Sequence, residues 1–243
     1  MRLYGLIGKP LSHSFSKRFF TQKFEELHLD CQYENFELDS IEEVEALVAK
    51  HDYILGLNVT IPYKESIIPL LHYQSAAVRS IGACNCIKIV DGNLWGYNTD
   101  VIGFKISLEK KLKPQHKSAL ILGTGGAAKA VAFALSLLGI SYQFVSRQIN
   151  ERTLNYSSIN ASLILQNLLI INTTPLGMYP DVNKAPDIPY QFLTPDHFLF
   201  DLTYNPDKTL FLLQGEKMGS AISNGYEMLV IQAEESWKIW TCD

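Results

Sequence analysis

The sequence predicts an α/β protein, on three observations. Short apolar runs of strand type alternate with helical stretches along the chain. A glycine turn, Gly123-Thr124-Gly125-Gly126, joins an apolar strand to an apolar helix. The pattern also restarts cleanly after Lys113-Pro114, which reads as a boundary. At 243 residues the chain can bury a sizeable core, as one large domain or two small ones. Its 47% apolar content excludes a disordered chain.

Taken in order, Arg2–Ile7 reads as a strand and Lys17–Leu27 as a helix with Phe20, Phe24 and Leu27 on one face. Gln32–Glu37 is a strand. Ser40 and Glu43 have the spacing of a capping box that opens a helix to about Lys50. Tyr53–Val59 is a strand, after which Pro62 suits the first turn of a helix. Cys84–Val90 and Leu94–Tyr97 pair as a hairpin through Asp91-Gly92, and a helix runs from Thr99 to about Lys111. Beyond Pro114 follow strand Ala119–Leu122, helix Ala127–Leu138 and strands Tyr142–Val145, Leu168–Ile171 and Phe198–Leu202. Helices Leu210–Met218 and Tyr226–Trp240 complete the chain.

Charge and cysteine usage narrow the function classes. The formal charge is −4 without a dense basic tract, which argues against nucleic acid, whose phosphates demand Lys and Arg. Cys31, Cys84, Cys86 and Cys242 are too few and too scattered for a disulfide framework, so reduced thiols in a cytoplasmic protein are expected. The six histidines are dispersed and complete no tetrahedral set with the cysteines; no metal is expected. Leu3–Ile7 is too short for a signal-peptide core. Ser118–Ile140 carries only Lys129 as a charge, but its central glycines suit a strand, turn and helix better than a membrane span.

Five motifs could carry chemistry. In Gly123-Thr124-Gly125-Gly126-Ala127-Ala128 the glycines let backbone approach a pyrophosphate, and free amides at the helix start meet its charge. Dinucleotide binding is favoured there over a tight structural turn. Lys64, in Asn58-Val-Thr-Ile-Pro-Tyr-Lys-Glu65, falls in the first turn of the helix expected at Pro62. A cation at that positive end gains acidity, which suits proton transfer, although a solvated lysine is the commoner case. Asp100, in Asn98-Thr99-Asp100, is either a helix cap or a functional carboxylate. Ser14 and Ser16 offer hydroxyls to an anion, or Ser16 caps a helix. Alternation along Cys84-Asn85-Cys86 would put both thiols on one side and aim Asn85 to the other.

Together and in this order, these motifs resemble the shikimate dehydrogenases, of the shikimate/quinate dehydrogenase family, over nearly the whole chain. The matching residues are Gly8-Lys-Pro10 with Ser14-Phe-Ser16, Asn58–Glu65, Gly82-Ala-Cys-Asn85, Asn98-Thr-Asp100 and Gly123-Thr-Gly-Gly-Ala127. Asn172-Thr-Thr-Pro-Leu-Gly177, Asp201-Leu-Thr-Tyr204 and Gly225–Gln232 add to them. Three departures stand out: Lys17 where proline often follows the second serine, Thr124 where alanine is usual, and Ser146-Arg147-Gln148 where Asn-Arg-Thr is usual.

The resemblance implies two α/β domains around a cleft. Residues 1–100 with 226–243 would form an N-terminal substrate domain, and residues 101–225 a Rossmann NADP-binding domain. It implies NADPH-dependent, reversible reduction of 3-dehydroshikimate to shikimate, a step of chorismate and aromatic amino acid biosynthesis. Lys64 and Asp100 would form the catalytic pair. Ser14 and Ser16 would hold the substrate carboxylate, and Thr60, Asn85, Asp100 and Gln232 its hydroxyls. Tyr204 would lie near both ligands. Gly123, Gly125, Gly126, Ala127, Arg147 and Thr173 would serve the cofactor, with Gly225 and Met228 near the nicotinamide. Competing readings are quinate or an aminated shikimate analogue as substrate, and a non-catalytic sensor, against which the retention of Lys64 and Asp100 counts. A monomer and a homodimer are both open.

Spacing also bears on the cofactor. The residue about twenty positions past the glycine turn decides between NAD and NADP in such folds. That position is Ser146, and Ser146–Asn150 contains no acidic residue. Arg147 can pair with a phosphate there, and Arg152, partly offset by Glu151, can add a second charge. NADP is the cofactor expected.

Overall fold

A computed structural model describes residues 1–11, 14–148 and 153–242 of the chain. They form two compact units, Met1–Thr99 with Gln232–Asp243, and Asp100–Ile231.

The first unit contains β1 (Arg2–Gly8), α1 (Phe15–Glu26), β2 (Cys31–Glu37), α2 (Glu43–Lys50), β3 (Ile54–Val59), β4 (Tyr73–Gln74), α3 (Ala76–Ile81), β5 (Cys86–Val90) and β6 (Asn93–Tyr97). Its mixed sheet has the order β2-β1-β3-β5-β6-β4. β1 runs parallel to β2 and β3, whereas β5 is antiparallel to both β3 and β6. Alternation along β1 sends Leu3 and Ile7 into one apolar cluster, with Leu57, Val44 and Ile87, and sends Tyr4 and Leu6 into another. The second cluster is aromatic: Phe20 stacks on Tyr33 at 4.7 Å, and Trp240 stacks on Tyr4 at 5.0 Å. Gly56 admits Trp240, since a Cβ there would lie 2.4 Å from its ring, and the indole N–H donates to the Ile87 carbonyl at 2.9 Å.

Register decides what emerges at one edge of this sheet. Ile7 pairs with Val59, Asn58 with Cys86, and Cys86 with Tyr97. The ends of β1, β3 and β6 and the start of β5 therefore coincide. Thr60, Asn85 and Asn98 leave the sheet side by side.

The second unit contains α4 (Asp100–Glu109), β7 (Ser118–Leu122), α5 (Gly126–Leu137), β8 (Ser141–Ser146), β9 (Thr153–Asn155), α6 (Ala161–Gln166), β10 (Leu169–Asn172), β11 (Phe198–Asp201), α7 (Leu210–Lys217) and β12 (Ala221–Ser223). α8 (Tyr226–Thr241) belongs to this unit as far as Ile231. The six strands are all parallel in the order β12-β11-β10-β7-β8-β9. The chain starts at β7, builds outward to β9, then returns to the other side of β7 with β10. The order reverses between β7 and β10, and ligands of open α/β sheets bind beyond the strand ends at such a point.

Several local expectations need correction. Residues 61–67 form successive turns rather than the helix expected at Pro62, with Tyr63 N–H bonded to Thr60 and Ile67 N–H to Tyr63. The capping box is half made: the Glu43 carboxylate accepts from Ser40 N–H at 2.9 Å, but the Ser40 hydroxyl turns to Glu42, and α2 opens only at Glu43. β5 begins at Cys86, so Cys84 escapes the alternation. The two thiols pack into different apolar clusters instead of facing one side. The Asp91-Gly92 hairpin forms as expected, with both residues at positive φ. Among the described residues no helix is long and apolar enough to cross a membrane.

Candidate functional site

In the first unit, α1 presents the two serines differently. Ser14 is its N-cap, accepting the Lys17 N–H at 3.1 Å. Ser16 lies inside the first turn, buried, and near enough to the Tyr33 hydroxyl to act on it. The cap is therefore Ser14, not Ser16, and α1 starts two residues earlier than the periodicity suggested. The ammonium of Lys17 pairs with Glu34 on β2 at 2.6 Å, which holds the Glu34 carboxyl below its ordinary range. Ser12 and His13, between the Gly8-Lys-Pro10 and serine motifs, lie outside the described residues.

Thr60 follows β3; its N–H donates to Ile7 and its carbonyl accepts from Tyr63, both at 2.9 Å. Lys64 is half-buried on the turns beyond it, and its carbonyl accepts the Cys84 N–H at 2.7 Å. This bond ties the Lys64 turn to the strand entry that carries Asn85. No α-helix begins there, so the helix-start setting expected for Lys64 is not formed.

Asn85 is buried and fully engaged. Its Nδ2 donates to Thr99 Oγ1 at 3.0 Å and to Gln232 Oε1 at 3.3 Å, while its Oδ1 accepts the Thr99 N–H at 2.7 Å. Gln232 thus spends its oxygen on Asn85, leaving the two protons of its Nε2 as what it offers a ligand. The next layer was not evident in the motifs: Asn58 donates to Ser236 at 2.9 Å and to the Asn85 carbonyl at 3.3 Å, and accepts from Tyr33 at 2.8 Å. All these side chains are buried. A buried polar residue in an otherwise apolar strand, as Asn58 is in β3, was the available signal.

In the second unit, Asp100 opens α4 and is buried. Gly123, at φ +115°, leaves β7, and its N–H bonds Val145 at 2.9 Å. Gly125 caps α5 with no side-chain bond, and a Cβ built on it meets nothing within 4 Å. Gly126 and Ala127 form the first turn, so the amides of a twelve-residue helix face open space beyond the β7–β10 reversal. Thr173 sits alongside, its hydroxyl donating to Leu122 at 2.7 Å. Arg147 is exposed directly after β8, close enough for its charge to act on Tyr156. Arg152 and Glu151 lie outside the described residues.

Two buried side chains brace the loops that follow β10 and β11. Asn172 donates to Asp201 at 3.1 Å and accepts from the N–H and hydroxyl of Thr174. Asp201 also accepts the Thr203 N–H at 3.0 Å and the Thr209 hydroxyl at 2.6 Å. Burial nevertheless pushes its carboxyl up to about 6. Half-buried Tyr204 follows this brace, and Gly225 N–H bonds Thr203 at 3.2 Å, just before buried Met228 on α8.

The glycine turn at the reversal of a six-stranded parallel sheet defines a dinucleotide-binding α/β fold, joined in one chain to a mixed-sheet unit with a polar edge. Residues 6–87 match the shikimate dehydrogenase substrate binding domain. A shikimate dehydrogenase (NADP(+)) of Caldicellulosiruptor bescii is 37% identical over 99% of this chain and 89% of its own length. The crystal structure of the Aquifex aeolicus shikimate dehydrogenase superposes with a TM-score of 0.88 at 32% identity, covering 99% of this chain and 92% of that one. Shikimate 5-dehydrogenase of Thermus thermophilus, solved in complex with NADP(H) and shikimate, gives 0.88 at 29% identity over 99% and 94%. The chain belongs to the shikimate dehydrogenase family.

Proposed function

We infer that this chain is an NADP-dependent oxidoreductase that reversibly reduces 3-dehydroshikimate to shikimate, in aromatic biosynthesis. The polar edge of the first sheet carries this reading: a small carboxylate ring with several hydroxyls needs convergent polar groups, and Thr60 and Gln232, the latter held by Asn85, supply them in the unit that also carries Lys64. The first unit is the substrate side and the second the cofactor side.

The glycine turn fits a dinucleotide. Its helix start is uncapped by any side chain and open in front, and Gly123 takes a backbone conformation that side chains rarely adopt. Gly123, Gly125, Gly126, Ala127 and Thr173 would cradle the pyrophosphate, Arg147 would face the 2′-phosphate, and Gly225 and Met228 would lie near the nicotinamide. Bound there, NADPH supplies the hydride. Lys64 would deliver the proton to the ketone oxygen, and Asp100 would be the second catalytic residue, acting on the substrate hydroxyl. Ser14 and Ser16 would hold the carboxylate and Thr60 and Gln232 the hydroxyls, with Asn85 behind Gln232 fixing its amide rather than reaching the substrate itself, and Tyr204 would lie near both ligands. A cytoplasmic location accompanies this reading, on a cysteine pattern that makes no disulfide framework.

Steady-state assays with shikimate and quinate, each with NADP and NAD, test it. Shikimate with NADP is expected to give the highest kcat/KM. No turnover of shikimate, or a higher kcat/KM with quinate, overturns the assignment.

A further inference from the structure

We propose that Tyr33 and Ser236 are positioning residues for substrate binding, acting together through Asn58; this rests on the shikimate reading above. Neither can touch a ligand directly, being 1% and 0% exposed. Both grip the same amide. The Tyr33 hydroxyl donates to Asn58 Oδ1 at 2.8 Å, and Asn58 Nδ2 donates to Ser236 Oγ at 2.9 Å.

The orientation of that amide follows from its neighbours. The second contact of Asn58 Nδ2 is the Asn85 carbonyl at 3.3 Å, which can only accept, so the nitrogen must face it and the oxygen must face Tyr33. Burial beside Phe20 drives the Tyr33 hydroxyl well above its ordinary range, which keeps it protonated and a donor. Ser236 donates to the Gln232 carbonyl at 2.9 Å, one helical turn back, and its oxygen lies 3.3 Å from Thr99 Oγ1.

Two arms leave this centre. One runs from Asn58 through the Tyr33 hydroxyl toward Ser16, which lies near it and is assigned to the substrate carboxylate. The other runs through Ser236, Thr99 and Asn85 to Gln232, assigned to the hydroxyls. Tyr33→Phe removes one oxygen and leaves Asn58 Oδ1 buried without its donor. Ser236→Ala leaves Asn58 Nδ2 with the Asn85 carbonyl alone. Either change frees the amide to turn, and misaligns both ends of the substrate site without touching the groups that bear it.

The test measures KM for shikimate, KM for NADP and kcat in wild type, Tyr33→Phe, Ser236→Ala and the double variant. Each single variant is expected to raise KM for shikimate about five- to tenfold, with KM for NADP and kcat within about twofold. Because both act through one amide, the double variant is expected to fall well short of the product of the two. Tyr33→Phe preserves the ring packing, so it remains informative if Ser236→Ala does not fold. An unchanged shikimate KM in the folded variants, or an equal rise in KM for NADP, overturns the proposal alone. A wild-type chain that does not turn over shikimate overturns the functional reading and the proposal with it.

Discussion

Thr173 occupies the space that any side chain at position 123 would need. A Cβ on Gly123 would lie 2.5 Å from Thr173 Oγ1, and the threonine cannot retreat easily because its hydroxyl and N–H both bond the Leu122 carbonyl. The φ of +115° at Gly123 is also unfavourable for a side chain. Gly123→Ala is expected to cost about 1–3 kcal/mol of stability and to raise KM for NADP, with KM for shikimate little changed. Urea unfolding and kinetics check this; an intact variant with normal NADP kinetics would show that the turn tolerates a side chain.

Lys64→Ala is expected to lower kcat by about 10²–10⁴-fold, the usual contribution of a general acid, with KM for shikimate within a few-fold. Its turn is anchored through the backbone bond to Cys84, which the substitution keeps, so the fold should survive. Near wild-type turnover in the folded variant removes Lys64 from the proton-transfer role.

Ser14 combines two roles that measurement can separate. As the N-cap of α1 it should be worth about 1 kcal/mol, so Ser14→Ala is expected to lower stability by that much. As a carboxylate ligand it should also raise KM for shikimate, as should Ser16→Ala. A stability loss without a change in KM reduces Ser14 to a cap.

Arg147→Ala is expected to lower the ratio of kcat/KM for NADP over NAD at least tenfold, about 1.4 kcal/mol of discrimination. The exposed guanidinium lies at the end of β8, where the cofactor's adenosine phosphate is read in folds of this order. An unaltered ratio, or a wild-type preference for NAD, refutes the role.

Asp201 should make stability fall as pH rises. Its carboxyl is pushed from 3.8 to about 6 by burial, so between those values the folded chain holds a proton that the unfolded chain has released. Its stabilising contribution is full below pH 4 and lost as pH passes 6, an effect of at most about 3 kcal/mol. Unfolding free energies of wild type and Asp201→Asn between pH 4 and 7 test this. The variant should gain on wild type as pH rises; parallel curves would mean that the three hydrogen bonds to Asp201 cancel the burial effect.

Much of this protein was legible in its sequence because local patterns and short-range chemistry wrote it there. Apolar runs such as Leu168–Ile171 marked strands, here within one residue of the observed Leu169–Asn172, and Asp91-Gly92 marked a hairpin because two adjacent residues at positive φ suit that turn. The glycine turn marked the start of α5. Elements too short for a period, such as β4, β12 and α6, left no such trace. Pro62 allowed a helix start, but the segment closes as turns, held by Tyr63 packed in the core and by the bond between Lys64 and Cys84. Only the tertiary structure decided that Tyr33, Asn58, Asn85 and Ser236, the first and last more than two hundred residues apart, share one buried network. A buried amide must find partners wherever the fold supplies them, and strand register, which no local pattern specifies, determines which partners those are.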